Sequence, residues 1–502
     1  MGNMPRADIT SRDHVTYDAT TADAGEHPLA RQLLWYAVLV ALPLLLLLLA
    51  LRAGQLRFPG GTSRPAALLP TLVPAEMAVL RPALLLGQLV LILGVSRLCG
   101  RAFARLGQPR VMGEMLAGVV LGPSLLGLVW PAAYAMMFPR GSVRFLNALS
   151  QVGLILFMFL VGLEVDLKGM RRQRGLVLLT AHAGIAIPLC LGVLASFTLY
   201  PLFATAGVTF VSFASFVGVA LSVTAFPVLA RILGDAPWRG TRLAEIALSS
   251  AAVSDVTAWG ILAIVIAVGR DSATAVPLWA TALGLAAFVA FMTTVGRRVV
   301  GFLADRLSRD GGFERVNEDA LAAVVIVAMS CAVVTELLGV HALFGAFLAG
   351  VIMPKDREVV AAIEVRLREI LAVVLLPIFF AFTGLRLRVG LIEGRAMWMA
   401  LALVVAAAIA GKVGGTALAA RLWRFRWRES LSLGAMMNTR GLMELVVLSI
   451  GLDAGIISPP LYAILVVMAL VTTFMTAPLL RLSARRWATA ERPALAGHVT
   501  TP

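Results

Sequence analysis

The residues that could do chemistry are a few polar side chains set inside long apolar runs. Ser254 and Asp255 lie midway along one such run, residues 243–269. A carboxylate at mid-membrane depth can bind either a proton or a desolvated monovalent cation, because each neutralises a charge that is costly there. The pair therefore predicts an ion-exchange site, and the alternative is that Asp255 is half of a structural ion pair between two helices.

The basic partner predicted for Asp255 is Lys412, near the middle of the run 396–419. Glycines flank this lysine and would let neighbouring helices approach closely. A lysine that snorkels to the headgroup layer is the alternative, although the position is central for that role. The spacing of a phosphate-binding loop is absent, so the sequence does not indicate ATP binding.

A second polar cluster, Ser-Val-Thr-Ala-Phe-Pro at residues 222–227, interrupts the run 207–232. Pro227 lacks a backbone donor, and the hydroxyl of Thr224 can face either the freed carbonyls or an ion. This pattern predicts a broken helix that lines the site.

A third cluster, Asn438, Thr439 and Arg440, interrupts the run 429–452. Glu444 follows Arg440 by four residues, so the two side chains share one helix face and can neutralise each other. A structural pair and a group that supports the ion site both remain open for these residues.

The elements that must hold these residues are membrane helices. The chain has 502 residues, of which 60% are hydrophobic and 14% charged, with a mean hydropathy of +0.90. Soluble domains carry about 25% charged residues, so this chain has too little polar surface for a water-soluble fold. We predict an all-α integral membrane protein, with the lipid bilayer as its solvent. Fourteen apolar runs suit a bilayer core about 30 Å thick: 33–53, 80–98, 110–129, 145–165, 176–199, 207–232, 243–269, 276–296, 318–338, 340–354, 369–386, 396–419, 429–452 and 460–481.

The order of these runs predicts an internal repeat. Runs two to seven and runs nine to fourteen form two groups of six, each with its interruption in the fifth run. One linking run between the groups gives them opposite orientations, as in transporters built from inverted repeats. The predicted fold is two inverted six-helix repeats, each with one broken helix, plus one extra N-terminal helix.

Charge predicts the orientation. The net charge is +15, and 28 of the 43 Lys and Arg residues fall in alternate loops, which the positive-inside rule makes cytoplasmic together with both termini. The excess charge therefore does not indicate nucleic acid. A cleaved signal peptide is the alternative for the first run. The predicted segments are a disordered cytoplasmic tail (1–32), an extra helix (33–53), an external connector (54–79), a transmembrane domain (80–482) and a short cytoplasmic tail (483–502).

Other chemistry finds little support in the sequence. No nucleophile and base occur at usable spacing, so we do not predict an enzyme. Cys99, Cys190 and Cys331 have neither paired nor metal-ligand spacing, and no cofactor motif occurs. His182 is predicted to be a packing histidine.

Several stretches, in order, resemble the monovalent cation:proton antiporters, in the branch of the plant cation/proton exchangers and the bacterial potassium efflux antiporters. The resemblance covers about residues 80–482. Its motifs are GQPRVMGE (107–114), LVGLE (160–164), ALSVTAFPVLARIL (220–233), HALFGAF (341–347) and MNTRGLMEL (437–445).

The resemblance implies a secondary antiporter of K⁺ or Na⁺ and protons in the plasma membrane. It implies a homodimer whose core domain carries the two broken helices, crossed, and moves against a dimerisation domain to alternate access. It also implies that Asp255 binds the proton and the cation in turn, that Thr224 and Ser254 lie beside the ion, and that Lys412 competes with the cation. Glu164 matches an acidic position that contributes to the site in some relatives.

Two departures from the family pattern bear on mechanism. The pair Ser254-Asp255 stands where relatives carry Asp-Asp or Asn-Asp, so the stoichiometry stays open. The sequence has about twenty residues after its last run, so the nucleotide-binding regulatory domain of the potassium efflux systems is not expected. A cation channel on the same fold and a non-transporting ion-sensing receptor are the alternative functions.

Overall fold

The computed structural model of the chain describes residues 29–58, 82–106, 108, 110–164, 174–234, 241–269, 278–301, 318–338, 341–354 and 357–495. These residues form helices joined by turns, with no strand among them. Most of the predicted tail 1–32 and connector 54–79 lies outside the described residues, as do residues 496–502.

The helices are labelled in chain order. They are α1 (Ala30–Arg57), α2 (Pro82–Arg105), α3 (Arg110–Leu121), α4 (Arg140–Glu164), α5 (Arg174–Phe203), α6 (Phe210–Ser222), α7 (Phe226–Gly234), α8 (Arg242–Gly269), α9 (Leu278–Phe291), α10 (Glu318–Leu337), α11 (Ala342–Ile352), α12 (Arg357–Ile370), α13 (Leu376–Arg386), α14 (Gly394–Leu422), α15 (Trp427–Met437), α16 (Leu442–Asp453) and α17 (Pro459–Leu495).

The predicted spans divide into whole and interrupted helices. Within the described residues, eleven helices are long and apolar enough to cross a membrane. The sixth predicted run splits into α6 and α7, and the thirteenth splits into α15 and α16. The tenth is α11, whose 11 residues extend only about 16 Å. The eleventh begins earlier than predicted, because α12 joins α13 through the π-helical turn Leu371–Leu375.

The helices form two groups. α5, α6, α7, α8, α14, α15, α16 and α17 pack together as the core bundle. α2, α3, α4, α10, α11 and α13 pack together as the panel. The panel touches the core bundle at few points, among them α13 against α16 and residues 389–391 against α17. Each group takes helices from both halves of the chain.

Reciprocal helix contacts in the panel reveal the internal symmetry. α3, the second helix of the first repeat, packs on α13, the third helix of the second repeat. In the same way α11, the second helix of the second repeat, packs on α4, the third helix of the first repeat. Both contacts are closed by glycines. A Cβ on Gly118 would lie 2.3 Å from the carbonyl oxygen of Ala381, and one on Gly350 would lie 2.1 Å from that of Phe159. The prediction of two inverted repeats is confirmed.

Gly118→Ala is expected to destabilise the panel. The new methyl group would overlap the α13 backbone, and overpacking of this kind costs about 1 to 3 kcal/mol. The measurement is thermal unfolding of the detergent-purified protein. Gly94→Ala on α2 is the matched control, because a Cβ there meets nothing within 4 Å. Equal melting temperatures for the two variants would contradict the close approach.

The extra N-terminal helix α1 packs against α5 and α6 of the core bundle. Its Trp35 ring lies 4.9 Å from the ring of Trp423, centroid to centroid. The Tyr36 hydroxyl is hydrogen-bonded to Nδ1 of His182 at 3.0 Å, so His182 is a partnered packing residue, as predicted. The helix is longer than the predicted 33–53 at both ends.

Candidate functional site

The two broken helices cross at their breaks, inside the core bundle. α6 ends at Ser222 and α7 begins at Phe226, while α15 and α16 are separated by residues 438–441. The backbone N–H of Ala225 in the first break donates to the carbonyl of Thr439 in the second at 3.0 Å. Gly441 has φ +153°, a conformation that L side chains rarely adopt, and it lets the chain turn into α16. The crossing that the family resemblance implies is therefore present.

A buried carboxylate lies at the first break. Asp255 on α8 is 2% exposed, and its Oδ2 accepts from the backbone N–H of Phe226 at 3.3 Å. This N–H is at the start of α7, where the helix dipole favours a negative charge. The other carboxylate oxygen, Oδ1, is buried without a hydrogen-bond partner.

Two hydroxyl groups accompany this carboxylate. Ser254 precedes Asp255 on α8, and Thr224 lies in the first break; both are fully buried. Their hydroxyl oxygens are 3.4 Å apart. The structure thus brings Asp255, Ser254 and Thr224 together, although α8 and the first break are about thirty residues apart in sequence.

Two buried cations meet the end of α6. The guanidinium of Arg440 donates to the carbonyls of Ala220 at 2.9 Å and Leu221 at 2.5 Å, and the Lys412 ammonium donates to that of Ser222. The last carbonyls of a helix have no intrahelical partner and carry the negative end of its dipole. The two side chains therefore satisfy and neutralise an end that is buried in the membrane.

Lys412 is held by backbone and not by Asp255. Its ammonium also donates to the carbonyl of Gly184 on α5, at 2.8 Å. No ion pair joins Lys412 and Asp255 in the part of the chain that the structure describes. The predicted pairing is thus not a direct contact in this conformation.

Arg440 pairs with Glu444 on α16 and also contacts α6. Its Nη1 lies 3.1 Å from Oε1 of Glu444, and both side chains are fully buried. The same guanidinium reaches α6, so the group joins the two repeats. Glu444 Oε2 and Asn438 Oδ1 are buried acceptors without partners, and the Thr439 hydroxyl donates to the carbonyl of Met436.

Two predicted residues have a different setting. Pro227 is the second residue of α7, so the helix breaks before it. Backbone N–H groups in the first turn of a helix have no intrahelical acceptor, so a proline there removes no helix hydrogen bond. The break predicted at residues 222–227 is present, with Pro227 just after it. Glu164 is the last residue of α4, in the panel, and its side chain lies outside what the structure describes.

Sequence reasoning missed Thr473 and several backbone groups. Thr473 on α17 is buried and is hydrogen-bonded to the backbone of Arg440. The only signal for it was the pair Thr472-Thr473 inside the last apolar run. The N–H of Phe226 and the carbonyl of Gly184 have no signal in side-chain identity at all.

This arrangement defines a class. Two crossed broken helices at mid-membrane depth, in repeats of opposite orientation, characterise secondary transporters that bind their substrate at the repeat interface. A family profile described as "Sodium/hydrogen exchanger, transmembrane" matches residues 90–482. The chain belongs to this family.

Curated relatives agree with the profile. The chain is 41% identical to Na(+)/H(+) antiporter NhaS4 of Synechocystis, covering 79% of this chain and 96% of the relative. It is 38% identical to Cation/H(+) antiporter 18 of Arabidopsis thaliana, over 78% of this chain and 48% of the relative. It is 34% identical to K(+)/H(+) antiporter 1 of Saccharomyces cerevisiae, over 80% of this chain and 46% of the relative. The chain spans about half the length of the plant and yeast relatives.

A solved structure shares the fold. The sodium proton antiporter MjNhaP1 from Methanocaldococcus jannaschii aligns with a TM-score of 0.59 and 15% identity, over 84% of this chain and 100% of that one.

Proposed function

We propose that the protein is a secondary active antiporter that exchanges K⁺ or Na⁺ for H⁺, with Asp255 binding the proton and the cation in turn. The observation that carries the proposal is the unpartnered Oδ1 of a carboxylate buried at the crossing of two broken helices. A buried ionised oxygen without a partner is costly, and either a proton or a cation removes that cost.

The neighbours of Asp255 suit a small monovalent cation. The hydroxyl oxygens of Thr224 and Ser254 are hard, neutral ligands beside the carboxylate. The first break also frees backbone carbonyls that can face an ion. A single carboxylate with neutral oxygens favours one positive charge.

The resident charges of the site balance. Asp255 and Glu444 are the buried carboxylates, and Lys412 and Arg440 are the buried cations that interact with them. A cation that binds at Asp255 adds one positive charge, and release of the Asp255 proton offsets it. Competition for one carboxylate is therefore sufficient for exchange.

The division into core bundle and panel supports alternating access by motion of one against the other. The ion pair of Arg386 on α13 with Asp453 on α16 is one of the contacts between them. Another is the hydrogen bond from the Tyr462 hydroxyl to the carbonyl of Thr383, at 3.3 Å. Both lie at the end opposite the arginine-rich loops, so opening towards that side would break them. We further propose a plasma-membrane homodimer with both termini cytoplasmic.

The test is exchange by the purified protein in liposomes that carry an internal pH dye. We expect added Na⁺ or K⁺ to dissipate an imposed pH gradient, with Li⁺ and Rb⁺ defining the selectivity. A channel would pass cations without moving protons, and a sensor would bind cations without flux. Either result, or no cation-driven proton movement, would contradict the proposal.

A further inference from the structure

We propose that Thr473 is a positioning residue of the exchange site. Its hydroxyl holds the backbone of Arg440, and Arg440 in turn holds the end of α6 beside Thr224 and Asp255. The inference rests on the proposed function, because its effect is expected in cation binding and exchange.

The contacts of Thr473 place its hydroxyl on the second break. The Oγ1 atom accepts from the backbone N–H of Arg440 at 3.2 Å and lies 2.8 Å from the Arg440 carbonyl oxygen. It is also 2.7 Å from the carbonyl of Ala469, and its single proton serves one of these two acceptors at a time. The N–H of Arg440 precedes α16 and has no intrahelical acceptor. Thr473, on α17, therefore supplies the acceptor for this buried donor.

A similar contact occurs in the first repeat. In the first repeat, the N–H of Phe226 at the start of α7 donates to Asp255 on α8. In the second repeat, the N–H of Arg440 before α16 donates to Thr473 on α17. α8 and α17 are the sixth helices of their repeats, so in each repeat the sixth helix supplies a buried acceptor to the backbone of its own break. A hydroxyl there is neutral and fixes the break without exchanging an ion.

Arg440 connects the anchored second break to the ion site. Its guanidinium is hydrogen-bonded to the last carbonyls of α6, and the carbonyl of Thr439 accepts from Ala225 in the first break. One short segment thus contacts the backbone on both sides of Thr224, at the end of α6 and in the first break. If the backbone of Arg440 loses its anchor, the geometry of Thr224 relative to Ser254 and Asp255 changes with it.

The variant Thr473→Val keeps the shape of the side chain and removes the hydroxyl. Thr472→Val is the matched control, because Thr472 is the adjacent residue, is equally buried, and donates only to the carbonyls of Met468 and Ala469 in its own helix. Thr473→Ser retains the hydroxyl and is the rescue. Exchange in liposomes gives KM for the cation, kcat and the pH profile, and thermal unfolding gives the stability of each variant.

We expect Thr473→Val to raise the KM about ten-fold and to shift the pH profile of exchange, since a buried donor loses its acceptor next to the site. Thr472→Val and Thr473→Ser are expected to stay within about two-fold of the unmodified protein. A KM and pH profile of Thr473→Val equal to those of Thr472→Val would overturn the proposal. If Thr473→Val does not fold, Thr473→Cys replaces it, because a thiol accepts hydrogen bonds only weakly; an unchanged KM for that variant would overturn the proposal as well.

Failure of the proposed function is distinguishable from failure of this inference. In the first case the unmodified protein moves no protons in response to cations. In the second the unmodified protein exchanges ions, and Thr473→Val exchanges them with the same KM. Cation-dependent stabilisation against heat measures binding without transport, and it is expected to need about ten-fold more cation in Thr473→Val than in Thr472→Val.

Discussion

Replacing Asp255 with asparagine is expected to reduce cation-driven proton movement to the rate of empty liposomes. The amide has the size of the carboxylate, and its oxygen can still accept from the N–H of Phe226, so the fold is expected to survive. It carries no charge that a proton and a cation could neutralise in turn. The loss therefore reports on the exchange chemistry and not on assembly.

The assay for Asp255→Asn is dissipation of an imposed pH gradient by Na⁺ and K⁺, with the amount of protein in the liposomes measured in parallel. Asp319→Asn is the control, because Asp319 is an exposed carboxylate in the first turn of α10, in the panel. It is expected to exchange ions at the unmodified rate. Exchange by Asp255→Asn at that same rate would show that the carboxylate does not carry the ions.

Replacing Arg440 with glutamine is expected to have the largest effect on stability. The change leaves the buried carboxylate of Glu444 without its partner and the carbonyls of Ala220 and Leu221 without their donors. Removing one member of a buried ion pair costs about 3 to 5 kcal/mol. The melting temperature of the purified protein measures the loss, and exchange is expected to disappear with it.

Two comparisons separate burial from the ion pair itself. Arg368 pairs with Glu364 at the same spacing on α12, but its side chain is 56% exposed, so Arg368→Gln is expected to cost at most about 1 kcal/mol. The double variant of Arg440 and Glu444 to glutamine is expected to recover part of the loss, because no buried charge is left unpaired. Equal melting temperatures for Arg440→Gln and Arg368→Gln would show that Arg440 does not hold the breaks together.

Sequence patterns predicted the spans and most of the site because the bilayer penalises polar groups residue by residue. Asp255, Lys412 and Arg440 stand out in apolar runs, since each has to be offset by a partner. The interruptions at residues 222–227 and 438–441 predicted two broken helices for the same reason: helix breaks inside a membrane need other groups to satisfy the backbone. Their matching places in two groups of six predicted the inverted repeats, and the family resemblance implied the crossing.

The partners of these residues were less accessible from sequence. Lys412 was predicted to face Asp255, whereas its ammonium is hydrogen-bonded to the carbonyls of Gly184 and Ser222. A backbone carbonyl has the same chemistry in every residue, so no side-chain pattern indicates which one will be free. α6 exposes its last carbonyls because it ends at the break, and that end is visible only once the helices are packed.

By itself, the sequence determined that this chain is a helical membrane protein with two inverted repeats, two carboxylates and two cations inside apolar runs. Only the tertiary structure decided that Arg440 crosses to α6, that Lys412 binds backbone, and that Thr473 anchors the second break. The physical reason is the range of the interactions. The cost of burying a charge is local and is visible in the run of residues around it, whereas the acceptor of a buried donor is set by the packing of helices that lie as far apart in the chain as Arg440 and Ala220.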